Sequence, residues 1–375
     1  MPRIAILADH LEEGWTSMDH YAAMLVQHLA DDRRLQSVLV RPTFRHRLGR
    51  MPWIFGARHG RTLDLYWNRY LDYPRAAEQV MDVDLFHIAD QSYAHVATRL
   101  PAKRTVITCH DLDFAEPPPG TRQAWLVRAT GSMTLPGIRR AARVICDSDA
   151  IRSEILRRGL VEPHRLSVVP LGVEEVFRPE GPAPSPACEA LLSRNGSGPI
   201  VLHVGGMVPR KRLDLVLRAF ALIQRELPSA TLVRVGGPLS REMTALAEEL
   251  GAAHAIAGMP FLSRAELAAI YRRADVFLLC SETEGFGLPV LEAMACGVPV
   301  VARELPAVTE VAGDAIRNVT GTDPAAFAAA AIAVLRDREQ RAVMRRRGLE
   351  RAAMFGWGRT AEMTARVYQE LLETP

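Results

Sequence analysis

The sequence has no apolar run approaching the roughly 18–20 residues that a membrane-spanning helix needs. Its opening, "MPRIAILADH", is interrupted by Asp9 and His10 too early for a signal peptide, and fits a buried first strand instead. Its five cysteines (Cys109, Cys146, Cys188, Cys280 and Cys296) form no CxxC pair and have no histidines at ligand spacing. That pattern argues for a reducing compartment and against structural zinc. A net charge of +3, with no finger, helix-turn-helix or ribonucleoprotein signature, argues against nucleic acid as a partner. Neither the GxxxxGK[ST] spacing of a P-loop nor a GxGxxG dinucleotide fingerprint occurs. A cytoplasmic protein, soluble or peripheral to a membrane, is the expectation.

What is present is an alternation. A chain of 375 residues, 48% hydrophobic, is long for one core on a prior of roughly 100–200 residues per domain. Short apolar runs ("RIAIL", "SVLV", "LFHIA", "TVITC", "RVIC", "LSVVP", then "IVLHV", "TLVRV", "HAIAG", "DVFLLC", "VPVVA") are separated by helical patterns throughout. Strands buried on both faces and joined by helices mean α/β domains with parallel sheets, here two of them. Both periodicities stop in the Pro-, Gly- and Ser-rich stretch 177–199, which marks the boundary region. Ser263 with Glu266 forms a capping-box pattern, and Pro289 and Gly297 bracket a helix over "VLEAMAC". Residues 357–372 read as an amphipathic helix with Ala361, Ala365, Val367, Tyr368, Leu371 and Leu372 on one side.

The stretch "SETEGFGLPVLEAMACGVPVVA" (281–302) carries the most chemistry. It follows a strand and turns into a helix, so its loop lies where open parallel sheets bind ligands. A helix beginning near Leu288 aims N–H groups and a positive dipole end at that crevice, which favours phosphate. Gly285 and Gly287 permit close backbone approach, and Glu284 and Glu292 stand on either side as hydroxyl acceptors. Hydroxyl acceptors flanking a phosphate suit a nucleotide sugar. A second segment, "VLHVGGMVPRKRLDLVLRAF" (201–220), supplies another strand, a Gly205–Gly206 turn, and a helix opened by Arg210 and Lys211, which suits an anion without a metal.

Together "EGFGLPVLEAMACGVPVV" and "VGGMVPRK" resemble the retaining GT-B glycosyltransferases of the GT4 type, with the E-x7-E motif at Glu284 and Glu292. The segments "VITCHD", "VICDSDAIRSEI", "LSVVPLGVEEVFRP" and "FGWGRTAEMTARVYQELL" extend the resemblance over most of the chain. It implies two Rossmann-like domains facing a deep cleft: residues 1–180 on the acceptor side, 181–355 binding a nucleotide sugar, and a helix in 356–375 crossing back to the first domain. Lys211 and Arg210 would hold the donor diphosphate beside Gly206. Phe286 lies in the capping loop, whose Gly287 and Leu288 amides would cap the distal phosphate. Glu284 would contact the transferred sugar, Glu292 the ribose, and His110 the sugar and acceptor. Gly14, Trp15 and Ser17 would stand on the acceptor side. The activity implied is transfer of a hexose from a nucleoside diphosphate sugar to a glycan or lipid-linked glycan, with retention, no metal and no cofactor. A nucleotide-sugar isomerase or hydrolase on the same fold, or a binding subunit without turnover, are the alternatives. Two departures stand out: Gly206 occupies a position where the family often has arginine, and "GWTS" replaces a double glycine in the first loop.

The triplets "DVD" (82–84), "DLD" (111–113) and "DSD" (147–149) invite a metal reading, but all fall in the first domain and fit turns and caps better. Residues 41–61 contain Arg41, Arg45, Arg47, Arg50, Arg58 and Arg61 with no acid, interleaved with Phe44, Trp53, Ile54 and Phe55. Such a stretch suits either peripheral contact with the inner face of the cell membrane, or a surface loop that orders on the acceptor.

Overall fold

The computed structural model describes residues 1–48, 57–112, 124–193 and 196–373. The chain forms two compact units, Met1–Gly172 with Trp357–Pro375, and Val173–Gly356. Residues 173–180, expected at the end of the first domain, therefore pack with the second. There the backbone of Val173 donates to Phe355 (3.0 Å) and bridges Gly356, while the ring of Phe177 meets that of Tyr271 edge-on.

The first unit holds a parallel sheet of six strands in the order β2-β1-β3-β4-β5-β6. These are β1 (Arg3–Leu7), β2 (Gln36–Val40), β3 (Leu85–Ile88), β4 (Thr105–Cys109), β5 (Arg143–Cys146) and β6 (Leu166–Val168). The central strands are buried along their length, as continuous apolar runs covered by helices must be. Ala5, Ile88, Ile107 and Val144 pack with Tyr93 and Ile155 into one core. The second unit holds another six-stranded parallel sheet, in the order β12-β11-β10-β7-β8-β9. Its strands are β7 (Ile200–Val204), β8 (Thr231–Val235), β9 (Ile256–Met259), β10 (Val276–Leu279), β11 (Val300–Arg303) and β12 (Arg317–Val319). Val201, Leu232 and Leu278 meet Leu217, Phe220 and Phe327 from the covering helices. Each large apolar side chain so buried contributes roughly 1.5–3 kcal/mol. All five cysteines are buried and unpaired.

In each sheet, chain order reverses once, between β1 and β3 and between β7 and β10. Loops leaving the carboxyl ends of those strands part at that point and leave a crevice. In the second unit Arg234, fully buried on β8, fixes the loops beside it by donating to the carbonyls of Gly205 (2.9 Å) and Gly237. Gly236 has φ +136°, and a Cβ there would lie 2.1 Å from the Gly205 carbonyl oxygen, so only glycine lets the two loops approach this closely.

Several local expectations shift. The helix expected to open at Arg210 begins at Leu213, because Pro209–Lys211 form a separate 3-10 turn ended by Arg212 in the left-handed region (φ 47°). Pro289 sits at the second position of the helix Leu288–Ala295, whose cap is Gly287 (φ 98°). Ser263 accepts from the Glu266 amide (3.3 Å), but the Glu266 carboxylate accepts from the Ser185 amide (2.9 Å), so the capping box is half made. The helix Trp357–Glu373 packs into the first unit: Tyr368 hydrogen-bonds His87 (2.6 Å) and Thr360 donates to the Pro170 carbonyl (2.8 Å).

Candidate functional site

At the β7/β10 switch point of the second unit, the loop after β7 carries Lys211 and the loop after β10 carries Glu284. The Lys211 ammonium donates to both Glu284 oxygens, at 2.7 and 2.9 Å, and Arg210 stands 3.7 Å from the same carboxylate. The two loops are also joined through backbone, the Glu282 amide donating to the Arg210 carbonyl (2.6 Å). Burial pushes the Glu284 carboxyl up, but Lys211 and then Arg210 outweigh it, so it lies below its ordinary value of 4.5. Arg212 faces away and makes a fork-to-fork pair with Asp214 (3.0 and 2.9 Å). Arg210 is therefore at this site and Arg212 is not. A Cβ on Gly206 would meet nothing within 4 Å.

Behind the glycine-capped loop, Phe286 is buried and meets Phe355 edge-on (6.0 Å between centroids). Gly287 caps the helix Leu288–Ala295, whose first-turn amide at Leu288 has no acceptor within the helix. Glu292, one turn on, is 3% exposed. Its oxygens accept from Arg264 Nη2 (2.6 Å) and the Tyr271 hydroxyl (3.0 Å). Burial holds this carboxyl above 4.5 despite the pull of Arg264. Sequence reasoning missed Arg264, Tyr271 and Glu174, which Arg264 also binds. An arginine at the first position of a helix, against its dipole, was the available signal.

In the first unit His110 leaves β4 and is buried with both ring nitrogens engaged, Nδ1 with Asp147 (2.7 Å) and Nε2 with the Ala89 carbonyl (2.8 Å). It thus ties together the ends of β3, β4 and β5. Burial alone would lower its pKa, but Asp147 raises it to about 9, so the ring is an imidazolium donating both N–H groups. The Tyr21 ring meets it edge-on at 4.7 Å. Gly14 is left-handed (φ 76°), and Gly14, Trp15 and Ser17 are exposed around the start of the helix Thr16–Leu29. The buried charge of that loop lies elsewhere. Glu13 binds Arg69 (2.8 Å) and accepts from the Tyr93 hydroxyl (2.5 Å). Asp9 has its carboxyl held well above the usual range by burial and then by Asp90.

The described aspartates of the triplets that the structure pairs are bound to protein groups, Asp147 to His110 as above. Asp84 accepts from the Arg3 amide (2.7 Å), Asp82 is a left-handed turn residue (φ 58°), and Ser148 caps the helix holding Asp149. Asp111 accepts from Gln91 (3.1 Å), and Asp113 lies outside the described residues. Within 41–61, Arg41 pairs with Asp19 (2.5 Å), Arg47 pairs with Asp72 (2.5 Å), and Phe44 packs on His10. Arg50, Trp53, Ile54 and Phe55 lie outside the described residues. Among the described residues no helix is long and apolar enough to cross a membrane.

Two parallel sheets, each with its loops gathered at a switch point, and a terminal helix returned to the first unit define the GT-B architecture. Residues 190–351 match the model of the glycosyl transferases group 1, and residues 16–177 that of glycosyltransferase family 4. The chain belongs to this family, the GT4-type glycosyltransferases. A D-inositol 3-phosphate glycosyltransferase of Kineococcus radiotolerans is 35% identical over 254 residues, 62% of this chain and 58% of the relative. One from Mycobacterium marinum is 30% identical over 74% of this chain and 58% of the relative. The matched region thus spans less than two thirds of either relative. Among solved structures, sucrose-phosphate synthase from Thermosynechococcus elongatus superposes with a TM-score of 0.79 at 22% identity, covering 100% of both chains. Anabaena HepE in complex with UDP-glucose gives 0.74 at 18% identity, over 99% of this chain and 100% of that one. At such identities these two establish the fold alone.

Proposed function

We propose that the protein transfers a hexose, with retention and without a metal, from a nucleoside diphosphate sugar to a glycan or lipid-linked glycan. The observation that carries this reading is the Lys211–Glu284 pair at the β7/β10 switch point, one turn from a glycine-capped helix N-terminus. An ammonium carries three donors and Glu284 takes two, so the third is available to a diphosphate oxygen. Arg210 and the Leu288 amide add positive potential where charge develops as the glycosidic C–O bond breaks. Glu284, kept ionised by Lys211, accepts from hydroxyls of the hexose, and Glu292 accepts from the ribose. The acceptor oxygen attacks from the face the diphosphate leaves, and its proton passes to the departing phosphate oxygen. No protein nucleophile is needed, so the rate rests on positioning and electrostatics.

His110 acts on the first-unit side as a buried imidazolium, with the exposed Gly14, Trp15 and Ser17 toward the acceptor. The support for a lipid-linked acceptor and for work at the inner face of the cell membrane is the arginine-rich segment 41–61 together with exposed Trp15 and Trp67.

A thermal-shift screen of UDP, GDP, ADP and their hexose conjugates identifies the donor, since a ligand bound only by the folded state raises the melting temperature. Glu292→Gln is expected to weaken nucleotide and nucleotide sugar alike. Glu284→Gln should spare the free nucleotide and lower turnover, and wild-type transfer should persist in excess EDTA. Equal effects of the two substitutions on nucleotide affinity, or loss of turnover in EDTA restored by Mg²⁺ or Mn²⁺, would refute the arrangement.

A further inference from the structure

Arg264 opens the helix Arg264–Arg273, where the dipole disfavours a cation. It is held there by two carboxylates, Glu174 and Glu292, and by the Phe177 ring 4.5 Å beneath its guanidinium. Planarity suits it to that stacked, two-acid position in a way that a lysine could not match. A carboxylate offers about four lone-pair sites. Arg264 takes one on Oε1 of Glu292 and Tyr271 one on Oε2, which leaves one on each oxygen, matched to two neighbouring hydroxyls.

We propose that Arg264 is a positioning residue for the nucleotide: it keeps the Glu292 carboxylate charged and turned so that its remaining lone pairs accept the ribose diol. The inference rests on the donor reading above. The groups facing Glu292 are Arg264 and Tyr271 from the helix Arg264–Arg273, Glu174 from the segment after Val173, and Cys296 on its own helix. Of these only Arg264 is a cation. Burial already raises the Glu292 carboxyl, and without Arg264 it acts unopposed. A protonated Glu292 loses acceptor capacity, so the deficit of a variant lacking Arg264 is largest at acid pH and closes as pH rises.

The test is calorimetry with UDP, GDP and ADP on the full chain, from about pH 5.5 to about pH 8.5, reading the wild-type to variant affinity ratio so that titration of the nucleotide phosphate cancels. Arg264→Met is expected to bind the preferred nucleotide about tenfold more weakly at the acid end for each unit of pKa displacement, and to approach wild type at the alkaline end. Arg264→Lys, which keeps the charge, should recover part of the loss and serves if the methionine variant does not fold. In a Glu292→Gln background, which has no group to titrate, removing Arg264 should add no pH-dependent deficit. A deficit that is the same at every pH, or that survives in the Glu292→Gln background, would overturn the assignment. If the wild type binds none of the three nucleotides, the donor reading falls first and this inference with it.

Discussion

The two sheets are both six-stranded and parallel but differ in strand order, and each gathers ionisable side chains at the carboxyl ends of its strands, yet the two clusters are wired differently. In the second unit the charges at the switch point belong to opposed loops, Lys211 and Arg210 after β7 facing Glu284 after β10. Lys211 keeps a donor beyond its partner, and the helix at Leu288 adds a first-turn amide with no acceptor within the helix. In the first unit His110 spends both N–H groups on Asp147 and Ala89, and Glu13 spends its oxygens on Arg69 and Tyr93. Buried charge is thus put to two uses: Lys211 leaves a donor unspent, whereas His110 spends both of its own on holding the ends of β3, β4 and β5 together.

The sharpest way to break that contrast is Lys211→Ala. Loss of one such stabilising donor commonly costs roughly 3 kcal/mol or more, so transfer should fall at least about a hundredfold in initial rates. Because Glu284 is depressed mainly against its burial by Lys211, the variant should also lose the part of wild-type stability that Glu284 contributes above its unfolded pKa. In the wild type that part is lost only as pH falls through the lower folded value. Thermal melts across acid pH read this directly, and unchanged transfer would remove the diphosphate assignment.

Asp147→Asn tests the other side. His110 is raised from 6.5 to about 9, so its stabilisation is complete below the lower value and is lost as pH rises through the higher one. Wild-type melting temperature should therefore decline between those limits, by a few degrees at roughly 2–4 °C per kcal/mol for a unit of this size. Asp147→Asn should flatten that decline, and a slope unchanged in the variant would mean that the pair does not hold the imidazolium.

The smallest effect is expected from Gly206→Arg. The position is sterically open and its φ is not positive, so an arginine fits and adds a second guanidinium near Lys211. Initial rates should rise by a few-fold, about 1 kcal/mol or less, as for a partly exposed charge. A rate that falls would mean that the missing cation at this position is not part of donor binding.

Among the described residues eleven of the twelve strands were legible because parallel strands in a covered sheet are continuous apolar runs. The exception, Arg317–Val319, is three residues at a sheet edge with a polar sequence, too short to show a pattern. The placement of Glu284 and Lys211 at one switch point was also legible, since both follow apolar strands at glycine-rich turns. What local sequence could not carry was partnership at a distance. That Arg264 reaches Glu292, that Asp147 reaches His110, and that Arg212 turns back to Asp214 depend on packing between segments, and in Arg212 on a left-handed backbone no propensity anticipates.

The bond between His87 and Tyr368 spans 281 residues. The first unit thus takes segments from both sides of the second in sequence, Met1–Gly172 before it and Trp357–Pro375 after it. On a ribosome, where domains ordinarily fold from the N-terminus as they emerge, the second unit can finish first. The first must wait with His87, Thr108 and the surface that receives Trp357 uncovered. Its assembly rate is governed by a long closure rather than by local propensity, a slow step that exposes apolar surface. A chain lacking the helix Trp357–Glu373 would therefore leave the earlier-made unit, not the later one, unfinished.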